Sequence, residues 1–454
     1  MDTQQGGGTP RGQGPGDDRV DVVVVGAGLA GLTAAVTAAR DGASVTVVDA
    51  HAIGGRARTT TIDGGAIVNG GPRALYLDGA AARVLDELSI TIDGATPPRS
   101  GYRLVRDGRL HEFPSGAGGL LRTRAMSARA KLQLGALLAT VPRLQPHSSA
   151  GSTFGEWIEA RRLVPDAAAM LRALVRLCTY VADDELAADA AIAQLQLVLG
   201  AGVSYLHGGW QQLVDALAAR ARALDVDLVD HTSVGSVVPD PDGGWVVAAG
   251  ARTVRATSVV LAAGGPDAVA ALAPVPIERR GLGAPVTAAC LELGVRTPPE
   301  VTLALGVDTP MYLSLHGPPA RLGDELAVVH VLRYGTRDHR RDREDLWAHA
   351  ALAGIDRSDV VSHRFLARMM VAGGTPTGAG GGLAGRPGVT LAAGLFLAGD
   401  WVGDTGLIGD AAMHSGSVAG RLAGRLAAAR VLTHRRSVPQ YRGISAETAG
   451  QKRR

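Results

Sequence analysis

The chain has 454 residues, of which 46% are hydrophobic and 20% are charged, and its formal net charge is +3. This length and composition predict a globular protein of about two domains. The small net charge, without a basic block interleaved with aromatic residues, argues against a nucleic-acid partner. Cys178 and Cys290 lie far apart without CxxC spacing. That spacing excludes a disulfide framework, a redox-active dithiol and a zinc site on sequence grounds, and no metal is expected.

Both ends of the chain are predicted to be disordered. Residues 1–19 are rich in Gly, Pro and polar residues without the apolar core of a signal peptide, and residues 434–454 are polar and basic. The apolar run at 20–39 contains Asp21 and three glycines, which argues against a transmembrane segment. A cytoplasmic protein is therefore expected, and contact with a membrane surface stays compatible with the sequence.

The first predicted element is a buried strand followed by a glycine-rich turn. Residues 20–25 are nearly all valine, which is typical of a parallel strand covered on both faces. GAGLAG then places Gly26, Gly28 and Gly31 at the GxGxxG spacing ahead of a helix. In such a turn Gly26 allows the tight bend, Gly28 lets the backbone approach a pyrophosphate, and Gly31 lets the helix pack closely on the strand. The helix N-terminus would face the phosphates, so the pattern predicts dinucleotide binding.

The second predicted strand, at 45–48, ends on Asp49, 23 residues after Gly26. A carboxylate there can accept both hydroxyls of an adenosine ribose, which favours FAD or NAD over NADP. The GGR segment at 54–56 would bring backbone amides and the Arg56 guanidinium to the pyrophosphate from the opposite side, which suits an extended dinucleotide.

The segments that follow carry a family resemblance. GGR just after the ribose acid resembles the flavoprotein superfamily of phytoene desaturases, squalene-associated desaturases, protoporphyrinogen oxidase and monoamine oxidases. NGGPRALY at 69–76 resembles its phytoene-dehydrogenase-like branch, in which this loop passes beside the isoalloxazine ring. GLFLAGDWVGDTGLIGDAAMHSG at 394–416 is similar to the family's last FAD segment. There Asp400 would bond the ribityl or phosphate region and the amides around 409–412 would face the flavin O2.

The fold implied by this resemblance is α/β, with a Rossmann-like FAD-binding domain interleaved with a mixed-sheet plus helical substrate domain. We assign 20–74, 205–272 and 389–433 to the FAD-binding domain, and 75–204 and 273–388 to the substrate or cap domain. Helical spacing of Ala, Leu and Arg predicts that 75–200 is mainly helical.

FAD is expected to be noncovalent, because no cysteine follows Cys290 to form a covalent flavin link. Val234 is expected to contact adenine through its backbone. The expected cofactor-binding residues are Gly26, Gly28, Leu29, Ala30, Gly31, Asp49, Ala50, Gly54, Gly55, Arg56, Gly70, Gly71, Pro72, Arg73, Val234, Ala263, Gly399, Asp400, Gly409, Asp410 and Ala411.

Five side chains are candidates for the chemistry. Arg73 and His207 lie in motifs that border the flavin in the family, where they would contact substrate or only hold loops. In MYLSLHG at 311–317, alternation places Tyr312 and His316 on one strand face, which looks either into the cavity or outward to solvent. Trp401 follows the FAD acid and would lie near the ring or pack as a core indole.

The substrate is predicted from what the chain lacks. Amine oxidases of the family use a lysine near flavin N5 and an aromatic cage. The lysines here are Lys131 and Lys452, neither in a suitable strand, and aromatic residues make up 4% of the chain. The resemblance therefore implies a desaturase or dehydrogenase that removes hydride from a small apolar substrate of isoprenoid, polyene or lipid type. No catalytic base is required, because positioning and exclusion of water suffice.

Two alternatives remain open, an FAD-dependent amine or amino-acid oxidase and a redox-neutral isomerase or non-catalytic flavoprotein. LAAGGPDA at 261–268 lacks the GxGxxG spacing, so a second dinucleotide site for NADPH is not expected. Electrons are expected to come from the substrate and to pass to oxygen or a quinone.

Overall fold

The computed structural model describes residues 18–437. The first strand begins at Asp18 and the last helix ends at Ser437, so residues 18–19 and 434–437 are regular secondary structure and not part of disordered ends. The remaining residues of both predicted disordered ends lie outside the described residues.

The described strands, in chain order, are β1 (Asp18–Val25), β2 (Val45–Val48), β3 (Thr60–Thr61), β4 (Ile67–Val68), β5 (Leu75–Tyr76), β6 (Gly94–Ala95), β7 (Tyr102–Arg106), β8 (Arg109–Glu112), β9 (Val203–Leu206), β10 (Asp227–Val229), β11 (Val234–Pro239), β12 (Trp245–Ala249), β13 (Arg252–Leu261), β14 (Val286–Val295), β15 (Leu303–Gly306), β16 (Met311–Gly317), β17 (Ala327–Tyr334), β18 (Val360–Ala372), β19 (Thr390–Ala392) and β20 (Leu395–Leu397). The described α-helices are α1 (Leu29–Arg40), α2 (Ala80–Glu87), α3 (Gly116–Arg122), α4 (Ala128–Thr140), α5 (Phe154–Glu159), α6 (Pro165–Thr179), α7 (Ala188–Leu199), α8 (Gln211–Ala223), α9 (Pro266–Leu272), α10 (His339–Leu352) and α11 (Ile408–Ser437).

The first sheet has the strand order β10-β2-β1-β13-β12-β11, with β20 beside the end of β13 and β19 beside β20. β1 is central and pairs in parallel with β2 and β13, which confirms the strand predicted from the valine run. Val22, Val23 and Val24 are fully buried, as expected for a strand covered on both faces. The strands of this sheet come from 18–48, 227–261 and 390–397.

Helix α1 follows β1 and packs against α11 at close range. Glycines on α11 make the approach feasible, because a methyl group at Gly416 or Gly420 would overlap the carbonyl oxygens of Ala30 and Ala34 on α1. The start of α11 is therefore held beside the start of α1. No helix within residues 18–437 is both long and apolar enough to cross a membrane.

The second sheet has the order β18-β14-β17-β16-β15-β7-β8. It is mixed, because β15 pairs in parallel with β7 whereas the other neighbouring strands described in this sheet pair antiparallel. One face packs against α10, with Leu313 and Leu315 among the buried residues. The other face packs against the helices of 128–199, with Tyr312 and Cys290 among the buried residues. The predicted mixed-sheet plus helical architecture is confirmed.

The prediction that 75–200 is mainly helical is wrong for 102–112. Here β7 and β8 form a hairpin that extends the second sheet. Asp107 and Gly108 at its tip have φ of 51° and 66°. Two successive positive φ values are the geometry that an Asp-Gly pair favours in a two-residue hairpin turn. The local turn chemistry thus outweighs the helical composition of the surrounding segment.

Candidate functional site

A groove with a volume of about 610 Å³ extends from the carboxyl ends of β1 and β2 to the first turn of α11. Fourteen of the residues predicted to bind the cofactor line this groove, namely Gly26, Gly28, Leu29, Ala30, Asp49, Ala50, Gly55, Arg56, Arg73, Val234, Ala263, Gly399, Asp400 and Gly409. They come from distant parts of the chain, so the structure brings the separate sequence motifs together in one place.

The start of α1 supplies the amide groups at one wall of the groove. Gly26 has a φ of 106°, and a methyl group there would also overlap the carbonyl oxygen of Ala262, the residue just after β13. Gly28 is the N-cap of α1, its position offers no capping side chain, and the first turn contains no acidic residue. The free N–H groups of this turn therefore face the groove and fit an anionic pyrophosphate.

Asp49 lies at the end of β2 and lines the groove. Its Oδ2 accepts a hydrogen bond from the Ala27 N–H at 2.6 Å, and its Oδ1 accepts one from the His51 N–H at 2.8 Å. The side chain is 15% exposed. Two backbone bonds fix the carboxylate in place, and its remaining lone pairs can accept the two hydroxyls of a ribose.

Arg56 and Asp400 join the two halves of the groove. The Arg56 Nη1 donates to the Asp400 Oδ2 at 2.9 Å and to the Val371 carbonyl at 3.2 Å. Burial opposes the charge on Arg56, but the Asp400 carboxylate outweighs it and raises the pKa of the guanidinium. The Asp400 Oδ2 also accepts the Gly373 N–H, whereas its Oδ1 is buried without a partner.

The buried Oδ1 of Asp400 tests whether the groove fits FAD. An unsatisfied buried acceptor is costly, so its presence in a binding groove points to a ligand that donates to it. The Trp210 Nε1, another buried group without a partner, belongs to a second groove-lining residue. A hydroxylated chain and a ring with hydrogen-bonding edges would satisfy both, and FAD carries both features.

A smaller cavity of about 90 Å³, the inner cavity, adjoins this end of the groove. The residues that line both spaces are Arg73, Trp210, Met370, Val371, Ile408 and Gly409. Three predicted cofactor residues, Gly70, Pro72 and Asp410, line the inner cavity instead of the groove. The inner cavity in turn shares Gln194, Leu407 and Asp410 with an outer cavity of about 260 Å³.

Four predicted cofactor residues line neither space. Gly31 packs against the Gly26 carbonyl, as its predicted packing role requires, and Gly54 has a φ of 114° in the turn before Arg56. Ala411 is fully buried in α11. The Gly71 N–H donates to the buried Glu292 Oε1 at 2.7 Å, so its loop is held from the side of the second sheet.

Among the five candidates for the chemistry, Arg73 lines the groove and the inner cavity. Its Nε donates to the Asn69 carbonyl, its Nη2 donates to the Arg56 carbonyl, and its guanidinium lies 5.3 Å from the Trp210 ring centre. Burial, together with the nearby Arg56 charge, lowers the pKa of Arg73 to about 10. The side chain stays positive at neutral pH and is engaged with the walls of the site.

Tyr312 and His316 do not line the groove or the inner cavity. Both are buried in the second sheet, so the outward alternative is wrong as well. His316 stacks on Tyr205 with ring centres 3.9 Å apart and meets the edge of His330. Burial lowers the pKa of His316 well below its usual value, so the ring is a neutral packing element.

His207 and Trp401 also lie away from the two spaces and hold local structure. The His207 Nδ1 accepts a hydrogen bond from the Arg321 N–H at 3.0 Å, which matches the loop-holding alternative. Trp401 is fully buried in the core beneath the first sheet, and its Nε1 donates to the Gly264 carbonyl at 2.8 Å. It is the packed core indole of the second alternative.

Most of the residues that form the wall between the groove and the inner cavity were not predicted from the sequence. Met370 and Val371 lie at the end of β18, and the signal for them is an apolar run directly before the Gly373-Gly374 pair. Trp210 stands in the YLHGGW segment from which His207 was chosen. Nothing in the local pattern indicates which of the two side chains faces the groove.

A scan against protein families matches residues 29–423 to flavin containing amine oxidoreductases. The chain belongs to this family. It is therefore an FAD-dependent oxidoreductase, and FAD is its cofactor. The superfamily indicated by the GGR motif is thereby confirmed, whereas the desaturase branch within it stays a prediction.

Individual relatives are distant. Coproporphyrinogen III oxidase of Propionibacterium freudenreichii subsp. freudenreichii is 33% identical over 153 residues, which are 31% of this chain and 29% of that enzyme. The match thus spans less than a third of that relative. An oxidoreductase from Methanosarcina mazei is 17% identical with a TM-score of 0.70, covering 88% of this chain and 99% of the other. Putrescine oxidase with bound putrescine is 18% identical with a TM-score of 0.67, covering 91% and 99%. Both structures establish the shared fold.

Proposed function

We propose that this oxidoreductase removes a hydride from an uncharged, apolar part of its substrate, of isoprenoid, polyene or lipid type. The observation that supports this most is that three polar side chains of the inner cavity, Arg73, Cys178 and Tyr180, already bond carbonyl groups of the protein itself. The remaining wall there is mostly hydrocarbon and thioether, including Leu75, Met369, Met370, Val371 and Leu407. Such a wall binds apolar groups and excludes water.

The Tyr180 hydroxyl and the Cys178 thiol of the inner cavity have partners within the protein, whereas the Trp210 Nε1 has none. The Tyr180 hydroxyl donates to the Pro72 carbonyl at 2.9 Å, and the Cys178 thiol donates to carbonyls within α6. Tyr76 and Gln194 both lie in the wall of the inner cavity. A polar substrate group would have to displace these bonds, whereas an apolar group leaves them intact.

The size of the inner cavity limits what it holds. A volume of about 90 Å³ has room for about six to nine water molecules, since each needs about 10–15 Å³ on this measure. That is one short segment of a long polyene or lipid. We propose that this segment reaches the flavin through the inner cavity and that the rest of the substrate extends through the outer cavity.

In this proposal, different residues of the groove hold different parts of the cofactor. Asp49 would hold the adenosine ribose, the first turn of α1 the pyrophosphate, and Asp400 the ribityl chain. The flavin end would then lie at the wall made by Trp210 and Val371, next to the inner cavity. Arg73 is a positioning residue that fixes this wall through its two carbonyl partners.

The chemistry needs little from side chains. FAD held in the groove would supply the two-electron oxidant for a hydride from one substrate carbon, with oxygen or a quinone as the final acceptor. A proton would leave the neighbouring carbon for water as the double bond forms. The chain positions the C–H bond and keeps other water away from it.

Oxidation of an amine is the second candidate, and Asp410 favours it. This carboxylate lines the inner cavity beside Tyr76 and Tyr180, where it could pair with an ammonium group. Its Oδ1 already accepts the Ala81 N–H at 2.7 Å, and burial raises its pKa, so its negative charge is poorly stabilised without a partner. If amines are the substrates, Asp410→Asn should raise KM by about 10- to 150-fold, the value of one charge-assisted hydrogen bond.

Anaerobic titration of the purified holoenzyme distinguishes an apolar substrate from an amine substrate. Isoprenoids, polyenes and unsaturated lipids in detergent micelles or neutral liposomes are expected to bleach the visible absorbance of the flavin, because their apolar ends fit the inner cavity. A panel of primary amines, polyamines and amino acids is expected to leave the absorbance unchanged. Stopped-flow absorbance measures both results on the same preparation.

Dithionite serves as the control that the bound flavin is reducible in every sample. Reduction by any amine of the panel, with stoichiometric peroxide once air is admitted, would replace the apolar proposal with the amine oxidase. Rapid reduction by NADH or NADPH would contradict the proposal that electrons come from the organic substrate.

A further inference from the structure

Two leucines on the outer surface of the cap region are unusually exposed. Leu121 at the end of α3 is 77% exposed and Leu132 on α4 is 76% exposed. All other exposed large hydrophobic residues in the described part of the chain are at most 45% exposed. The two helices touch, because the Lys131 Nζ donates to the Leu121 carbonyl at 2.7 Å. The two exposed leucines therefore lie on adjoining helices.

The outward face of α4 has a defined order of side chains. Ala130 and Leu134 face the core, whereas Arg129, Leu132, Ala136 and Ala139 are exposed at successive helical spacings. A basic residue thus begins an otherwise apolar outward stripe. Apolar stripes with arginine or lysine at their margin are typical of helices that lie in a membrane interface.

Positive charge is concentrated in the segment that contains α3 and α4. Residues 99–143 contain eight arginines and one lysine against one aspartate and one glutamate, a surplus of seven positive charges. Because the whole chain has a net charge of +3, the remainder is net negative by four. The Arg122–Glu112 bond at 2.8 Å joins α3 to the edge strand β8, so strand and helices form a continuous surface.

We define the cap patch as the exposed side chains Arg109 and Leu110 of β8, Leu121 of α3, Arg124, and Arg129 and Leu132 of α4. Its three arginines form no ion pair among the described residues. Unpaired guanidinium groups keep their full attraction for an anionic partner, and the leucines between them add apolar contact area.

We propose that the cap patch docks the protein on the surface of a membrane that contains anionic lipids. A lipid bilayer can bind both kinds of side chain in the cap patch. Its anionic headgroups attract the arginines, and its acyl chains directly beneath them contact the leucines. The proposal goes beyond the flavin chemistry, and docking does not depend on which substrate is oxidised.

The end of α4 also adjoins the outer cavity. The Gln196 Nε2 donates to the Val141 and Leu144 carbonyls just after α4, at 2.9 Å each. Gln196 itself lines the outer cavity, which leads to the inner cavity. The C-terminal end of α4, whose first half carries part of the cap patch, therefore contacts the wall of the proposed substrate path. This link rests on the proposed function, whereas docking itself does not.

Cosedimentation of the full FAD-bound chain with vesicles tests the proposal. We expect binding to vesicles of phosphatidylcholine and phosphatidylglycerol (3:1), weaker binding to phosphatidylcholine alone, and a decrease as salt rises. The double variant Arg124→Glu, Arg129→Glu should lower the partition coefficient by about thirtyfold or more, since each basic residue near the surface contributes about fivefold. Leu121→Ser with Leu132→Ser should lower it by about tenfold or more.

The matched control is Arg340→Glu with Arg341→Glu, which makes the same charge change on exposed residues of α10. This variant should keep at least half of the wild-type binding. Flavin absorbance shows that each variant is folded. Failure of the wild type to bind anionic vesicles at low salt would overturn the proposal, as would equal loss in the α10 variant. A dimer in light scattering that the leucine variant dissociates would also overturn it, because a second copy would then cover the patch.

Discussion

Glu292→Ala is expected to lower the free energy of unfolding by about 3–5 kcal/mol, the usual cost of breaking a buried ion pair from one side. The Glu292 side chain is fully buried on β14. It accepts the Gly71 N–H at 2.7 Å and the Arg364 Nε at 2.6 Å, and it lies 3.4 Å from the His330 Nε2. Alanine would leave the Gly71 N–H buried without an acceptor and would remove the ion-pair partner of the partly exposed Arg364. Urea denaturation of the holoenzyme, followed by circular dichroism, measures the loss.

The effect should depend on pH in a defined direction. Burial alone would raise the pKa of Glu292, but its interactions with His330, Gly71 and Arg364 outweigh burial and lower the pKa to about 2. A lowered folded-state pKa stabilises the protein above the unfolded value of about 4.3, and this contribution is lost as pH falls toward 2. The difference between wild type and Glu292→Ala should therefore be largest above pH about 5 and should shrink below it.

The exposed pair of Glu112 and Arg122 provides the control, because it has the same residue types and a bond of 2.8 Å. Glu112→Ala should leave the urea midpoint unchanged within error, since water and salt screen an exposed pair. Equal losses in Glu112→Ala and Glu292→Ala, or no loss in Glu292→Ala, would show that the buried network does not hold the loop of Gly71.

Gly31→Ala is expected to prevent formation of the FAD-bound enzyme. A methyl group at this position would overlap the Gly26 carbonyl oxygen, and neither atom belongs to a flexible side chain. To remove this overlap, α1 must move away from β1. The movement would lower the free energy of unfolding by about 3 kcal/mol or more and displace the amides that face the groove. Flavin absorbance relative to protein absorbance after purification, with circular dichroism of the same sample, measures the result.

Gly28→Ala is the matched variant in the same turn. A methyl group at Gly28 meets nothing within 4 Å in the protein itself, and the residue has an ordinary φ of −77°. The fold should therefore be retained, while FAD affinity should fall by about five- to 150-fold because the methyl group occupies space at the pyrophosphate. An FAD-bound Gly31→Ala protein with normal stability would contradict the close packing of α1 on β1.

The cofactor half of the structure could be predicted from sequence because its signals are local. A buried parallel strand, the GxGxxG turn and Asp49 fall within 32 consecutive residues, 18–49, and each has a direct backbone requirement. The predicted strand, turn and acid meet in one groove as expected. Gly416 and Gly420 of α11 also lie four residues apart, a spacing that is typical of close helix packing.

The orientation of the second sheet could not be predicted in the same way. Alternation in MYLSLHG correctly separates Tyr312 and His316 from Leu313 and Leu315. It does not tell what covers each face, and here α10 covers one and the cap helices cover the other. Both sets are buried as a result, so polar residues on one face indicate a buried network and not a substrate surface.

The wall of the inner cavity was missed for a related reason. Met370 and Val371 come from the end of a strand of the second sheet, whereas Trp210 and Ile408 begin or precede helices of the FAD-binding half. No single segment carries the pattern of the whole wall. Its composition follows from how two sheets approach each other, which depends on long-range packing.

A crystal structure of the FAD-bound enzyme is the measurement that tests the site assignment most directly. We expect the Asp49 carboxylate to bond both ribose hydroxyls, the Asp400 Oδ1 to accept a ribityl hydroxyl, and the isoalloxazine ring to lie between Trp210 and Val371 with one face toward the inner cavity. The flavin density should be separate from every side chain, as noncovalent binding requires. A ring bound away from the inner cavity, or density continuous from the flavin to a side chain, would contradict the assignment.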